Sequence, residues 1–73
     1  SINPNEYLEQ ARKSYLADNK ISESEIKEAI EKRTSAKADK NYDLADSIRN
    51  EWLNKGIQFM DTPQGTIWEL MTD

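Results

Sequence analysis

Apolar residues recur along this chain in three stripes of helical period and then switch to alternation. Tyr7, Leu8, Ala11, Tyr15 and Leu16 fall on one side of a helix. Asn3-Pro4 ahead of them reads as its start, Asn as the cap and Pro at the first helical position. Asp18-Asn19-Lys20 ends it, with Asn19 expected in the left-handed conformation that terminates many helices. In the second stripe Ile26, Ala29, Ile30 and Arg33 continue one buried face, with Ala36 nearby. Ser22 and Glu25 have the spacing of a capping box, and Ile21 and Ile26 flank it as a hydrophobic staple. Acids gather in the first turns and bases in the last, as the helix dipole favours, and this helix is predicted to run to about Asp39.

Asn41 caps a third helix that buries Ala45, Ile48 and Trp52, with Leu44 or Leu53, and closes at Lys55-Gly56. The link between the second and third helices is short, so they form an antiparallel hairpin. After Gly56 the period becomes two: Ile57 and Phe59 point one way, Gln58 and Met60 the other. Thr62-Pro63-Gln64-Gly65 fits a type I turn followed by a left-handed glycine that starts a bulge. Thr66–Leu70 returns as the second strand, and Met71-Thr72-Asp73 is expected to fray. The predicted class is therefore α+β: a small helical domain of three helices followed by a C-terminal two-stranded antiparallel β-hairpin. A lone hairpin is barely stable, so one of its faces must lie on the helices.

Composition narrows what such a domain can do. Seventy-three residues make one small domain, with neither Cys to staple it nor His or Cys to hold a metal. No apolar run reaches the length of a membrane span or resembles a signal peptide, and a cytoplasmic setting is the expectation. The chain opens on Ser1-Ile2-Asn3 without an initiator Met and is expected to be a piece of something longer. Net charge is −4, which argues against a general nucleic-acid binder, since such affinity comes from neutralising phosphates. The charge is uneven. Residues 1–31 carry seven acids against four bases, residues 32–56 six bases against four acids, and the remainder three acids and no base. Only the middle of the chain is suited to face phosphates; Lys32, Lys40 and Lys55 are expected to be solvated.

The order Ile26…Ile30-Glu31-Lys32-Arg33…Ala36…Asp39-Lys40-Asn41-Tyr42…Ala45-Asp46…Ile48-Arg49…Gly56-Ile57…Asp61-Thr62-Pro63-Gln64-Gly65-Thr66…Trp68 resembles the C-terminal domain of cysteinyl-tRNA synthetases. The Asp-Thr-Pro-Gln-Gly-Thr-x-Trp tail is its specific part. The resemblance covers residues 21–68 and implies a module that grips the anticodon of cysteine tRNA. It implies three divisions: a linker helix from a preceding helical bundle over 1–20, the anticodon-binding domain over 21–70, and a frayed end. It also implies a whole enzyme that attaches cysteine to its tRNA, with ATP and zinc in a catalytic domain outside this chain. This piece would itself be non-catalytic, need no cofactor and be monomeric.

Carried onto this sequence, the family's tRNA-contacting positions fall on Lys37, Tyr42, Asp46 and Asp61, with Arg33 able to serve beside Lys37. Ionised carboxylates are acceptor-only, which suits Asp46 and Asp61 to the N–H donors on base edges. Tyr42 can stack on an unpaired base, and Lys37 or Arg33 can meet a phosphate or a carbonyl. The family more often has Arg at Lys37, Trp at Tyr42 and an acid at Met60. Lys lacks the bidentate fork of Arg.

Each position also has a structural reading. Asp46 can complement the helix dipole, and Asp61 can bond the backbone of the turn that follows it. Tyr42 is expected to be partly packed, and Trp52 and Trp68 to lie in the core. Tyr7 and Tyr15 belong either to the core or to a surface that meets a missing bundle. The segment Lys40–Arg49 also resembles the helical hairpin of excision-repair subunits, a protein-interaction clip. That alternative has no need of the Gly-Ile…Asp-Thr-Pro-Gln-Gly-Thr-x-Trp strand pair.

Overall fold

The computed structural model describes residues 3–71. Three helices, α1 (Pro4–Asp18), α2 (Glu23–Ala38) and α3 (Tyr42–Asn54), precede two strands, β1 (Ile57–Thr62) and β2 (Gly65–Leu70). The α+β order is the one predicted.

Local chemistry accounts for where the helices begin. The Asn3 side chain accepts from the Asn5 N–H at 2.9 Å, and Pro4 occupies the first turn of α1. At α2 the Ser22 hydroxyl accepts from the Glu25 N–H while the Glu25 carboxylate accepts from the Ser22 N–H, both at 3.1 Å. Such a cap stabilises a helix start by about 1 kcal/mol. These bonds to Ser22 hold the Glu25 carboxyl below its usual range. The Asn41 side chain caps α3 by accepting from the Leu44 N–H.

The first helix ends differently from the prediction. Lys20, at φ 56°, is the left-handed residue, whereas Asn19 keeps φ −101° and donates from its amide to the Tyr15 carbonyl. The Ile21 N–H donates to Leu16 O at 2.9 Å and the Lys20 N–H to Ala17 O at 3.2 Å. This is a Schellman ending, whose left-handed residue sits one place beyond the cap so that Ile21 can fold back onto the core. The second helix repeats the device: Lys40 has φ 59°, and the Asn41 N–H donates to Ala36 O at 2.8 Å. A lysine in this conformation costs about 1 kcal/mol. At the end of α3 the position falls on Gly56, at φ 84°. Glycine is doubly required there. The Tyr15 hydroxyl donates to Lys55 O at 2.7 Å, and a Cβ on Gly56 would collide with that hydroxyl.

The core lies where α2, α3 and the end of α1 meet one face of the ribbon. Leu16, Ile26, Ala29, Trp52, Ile57 and Phe59 are buried, and Ile26 and Ile57 are almost wholly enclosed. Trp52 and Phe59 approach with ring centroids 6.1 Å apart. In β1, Ile57 and Phe59 face in while Gln58 and Met60 face out, as alternation predicts. The strands pair antiparallel from Ile57↔Leu70 to Thr62↔Gly65. The expected bulge is absent. Pairing is continuous up to a two-residue loop, Pro63-Gln64, and Gly65 takes its positive φ of 125° as a paired residue.

One packing expectation shifts, and two left open are resolved. Trp68 is half-buried at the edge of the core, with the Arg12 guanidinium carbon 5.8 Å from its ring centroid. Tyr7 and Leu8 are exposed; α1 reaches the core through Tyr15 and Leu16 in its second half. Leu44 is exposed too, and Leu53 is the half-buried member of that pair. At the C-terminal end the Met71 N–H still donates to Gly56 O at 2.8 Å; Thr72 and Asp73, expected to fray, lie outside the described residues.

Candidate nucleic-acid interface

Arg33 follows Ile26 by two helical turns, so its phase puts it on the inner face of α2. A buried arginine needs a partner for its charge. The partner arrives from 28 residues away: Asp61, near the tip of β1. The two side chains meet fork to fork, Nη1 donating to Oδ1 at 2.9 Å and Nη2 to Oδ2 at 3.1 Å. Lys37, one turn further along α2, donates from Nζ to Oδ2 at 2.8 Å. Thr66, directly opposite Asp61 in the ribbon, donates its hydroxyl to Oδ1 at 2.8 Å. A carboxylate offers about four acceptor positions, and here each is used.

The electrostatics follow from these bonds. The guanidinium first, then the Lys37 ammonium and the Thr66 hydroxyl, hold the Asp61 carboxyl far below the usual carboxylate range. Arg33 is raised, chiefly by its bonds to Asp61; burial opposes this, and the charges of Asp61 and Asp46 add to it. Asp46 stands on α3, and its charge is the weakest of these influences on Arg33. It is exposed and accepts none of the four bonds that occupy Asp61. Tyr42, one turn before Asp46 on α3, shares its face. Tyr42 is 57% exposed, more than the partial packing expected of it.

The turn-forming role considered for Asp61 belongs to its neighbour. The Thr62 hydroxyl accepts from the Gln64 N–H and donates to Gly65 O at 2.7 Å, freeing Asp61 to face α2. Thr66 escaped the sequence reading. A bulge at Gly65 would place Ile67 opposite Asp61, whereas the continuous ladder places Thr66 there.

The surface suits recognition by hydrogen bonding and stacking. Among the described residues no three acidic side chains converge as a metal-ligand set, and none of the described helices is long and apolar enough to cross a membrane.

The chain is 64% identical over 52 residues to the cysteine–tRNA ligase of a Nitratiruptor species, a match covering 67% of this chain and 11% of that protein. It is 46% identical over 67 residues to the cysteine–tRNA ligase of Helicobacter acinonychis (strain Sheeba), covering 92% of the chain and 13% of the relative. The chain belongs to the cysteine–tRNA ligase family. A third relative, the cysteine–tRNA ligase of Syntrophotalea carbinolica, is 41% identical over 66 residues, or 90% of the chain and 14% of that protein. The chain thus spans only about a tenth to a seventh of the length of these curated relatives. No family model and no solved structure matches it. The strand pair that the two-helix clip would not need is present and supplies Asp61 and Thr66 to the cluster.

Proposed function

We propose that this chain is the C-terminal anticodon-binding domain of a cysteine–tRNA ligase and that it grips the anticodon loop of cysteine tRNA. The ATP-dependent attachment of cysteine would take place elsewhere in the enzyme. The observation that carries the reading is the cluster joining Arg33, Lys37 and Asp61, with Asp46 and Tyr42 exposed together at the start of α3. It combines cations for a phosphate or a base carbonyl, acceptors for base N–H donors and a ring for stacking.

Within that reading the two carboxylates differ in readiness. Asp46 can accept from a base at once. Asp61 can do so only by giving up one of its partners; Lys37, the more exposed of its two cations, is the one to yield. The exposed Tyr7 and Leu8 on the first half of α1 fit a linker helix that leans on the rest of the enzyme. Acidity overall and a small footprint leave the piece with little RNA affinity of its own, and the remaining tRNA contacts would raise its effective concentration.

The test is charging kinetics of the full-length enzyme carrying Asp46→Asn or Tyr42→Ala, two exposed changes that leave the core alone. The expected result is a fall of about 10-fold or more in kcat/KM for tRNA, with cysteine activation unchanged. Wild-type tRNA kinetics in both variants would refute the assignment.

A further inference from the structure

A second surface lies on the other side of the helical hairpin. Between α2 and α3 runs an open groove of about 820 Å³. Its floor is apolar: Ala29, Ala36 and Trp52 are buried beneath it, while Ile48 is half-buried and Leu44 is 46% exposed. Its rim is acidic, with five carboxylates against two lysines. Both lysines are already engaged, Lys32 with Glu28 at 3.2 Å and Lys55 with Glu51 at 3.9 Å. Lys55 also sits over the Trp52 ring, 4.6 Å from its centroid. Of the remaining acids Glu25 serves the α2 cap, leaving Glu31 and Asp39 as charges without a cation of their own in the rim. Two helical turns separate them, about 12 Å.

We propose that this groove docks a basic amphipathic helix from outside this domain. Charge decides the sign of the partner. Phosphates are repelled by this rim, so RNA is excluded here. A second copy is disfavoured as well, since the chain carries −4 and the exposed Tyr7 and Leu8 of α1 are flanked by Glu6 and Glu9. Shape decides the form. A groove between two antiparallel helices accepts a third helix by ridge-into-groove packing. An extended peptide would find no strand edge there to satisfy its backbone, because the ribbon packs on the opposite side of the hairpin. The wall from Leu44 to Lys55 is about 16 Å long, enough for three turns. The partner would set apolar residues at helical spacing on Leu44 and Ile48 and lysines or arginines opposite Glu31 and Asp39. Around α3, Leu44 stands well over a right angle from Tyr42 and Asp46, so both surfaces can be occupied together.

The test titrates the chain with an 18-residue amphipathic helix of Leu and Lys, following amide and methyl shifts at low salt. The expected shifts centre on Leu44 and Ile48 and spare Tyr42 and Asp46. Glu31→Lys with Asp39→Lys should weaken binding at least tenfold. Leu44→Glu should weaken it at least fivefold although it adds a negative charge, which separates apolar docking from mere charge attraction. Circular dichroism of each variant checks that the fold is retained. Shifts centred elsewhere, undiminished binding by either variant, equal binding of a Leu/Glu helix, or self-association of the peptide-free chain through Leu44 would each overturn the proposal.

Discussion

The tip of the ribbon and the start of α3 each present a carboxylate, and the two are in opposite states. Asp61 is bound by Arg33, Lys37 and Thr66 until its acceptor positions are full. Asp46 accepts none of these bonds and stays open to water. A group already satisfied by the fold stabilises and positions; a group left open is free to bind. In this domain the two roles fall on different acids. Asp61 fixes the cations, while Asp46 and Tyr42 are left exposed.

That contrast is broken most forcefully at Asp61. Asp61→Ala leaves a buried guanidinium without its fork, and the expected loss is about 3 kcal/mol of unfolding free energy, read from urea denaturation. A loss below about 1 kcal/mol would mean that water replaces Asp61 easily. Acid should act the same way more gradually. The Asp61 carboxyl is lowered in the folded state, so its stabilisation is complete above the unfolded value of about 4 and fades as pH falls below it. Melting temperature should therefore drop on acidification below pH ~4, and Asp61→Asn should flatten that slope. Because the carboxylate is half-exposed, water screens part of the effect.

Thr66→Val keeps the β-branched shape and removes a single hydroxyl donor, for an expected loss of about 1 kcal/mol. Asp46→Asn sits at the small end, within about 0.5 kcal/mol, as suits an exposed position. Equal costs at Asp46 and Asp61 would erase the distinction between them.

How much of this was legible in the sequence depends on the distance over which each decision is made. Helix starts are local. Asn3-Pro4, the Ser22–Glu25 box and Asn41 each announce themselves within four residues, and all three cap as read. Alternation at Ile57 and Phe59 was equally plain. Helix ends were less so, because the left-handed place falls wherever the next apolar residue must turn inward. At α1 that residue is Ile21, and the strained position goes to Lys20 rather than to the more tolerant Asn19. Register was missed by one residue at Gly65, and with it the pairing of Thr66 to Asp61. The sequence put Arg33 on a buried face and Asp61 at a loop mouth, each by sound local rules. Nothing local joins them, since the bond closes only when the ribbon folds across α2.

The groove on the far side of the hairpin extends the comparison. One side of α2 buries a cation and neutralises it from β1, whereas the other gathers carboxylates that outnumber their lysines over an apolar floor. The helical pair is thus unlike across its thickness, its charges matched on one face and acidic on the other.

The most direct test sets Asp46→Asn beside Asp61→Asn in the intact enzyme, measuring unfolding free energy and affinity for the cysteine tRNA together. Asp46→Asn is expected to weaken tRNA binding with stability unchanged, while Asp61→Asn lowers both. Full tRNA affinity in Asp46→Asn, or full stability in Asp61→Asn, would contradict this expectation.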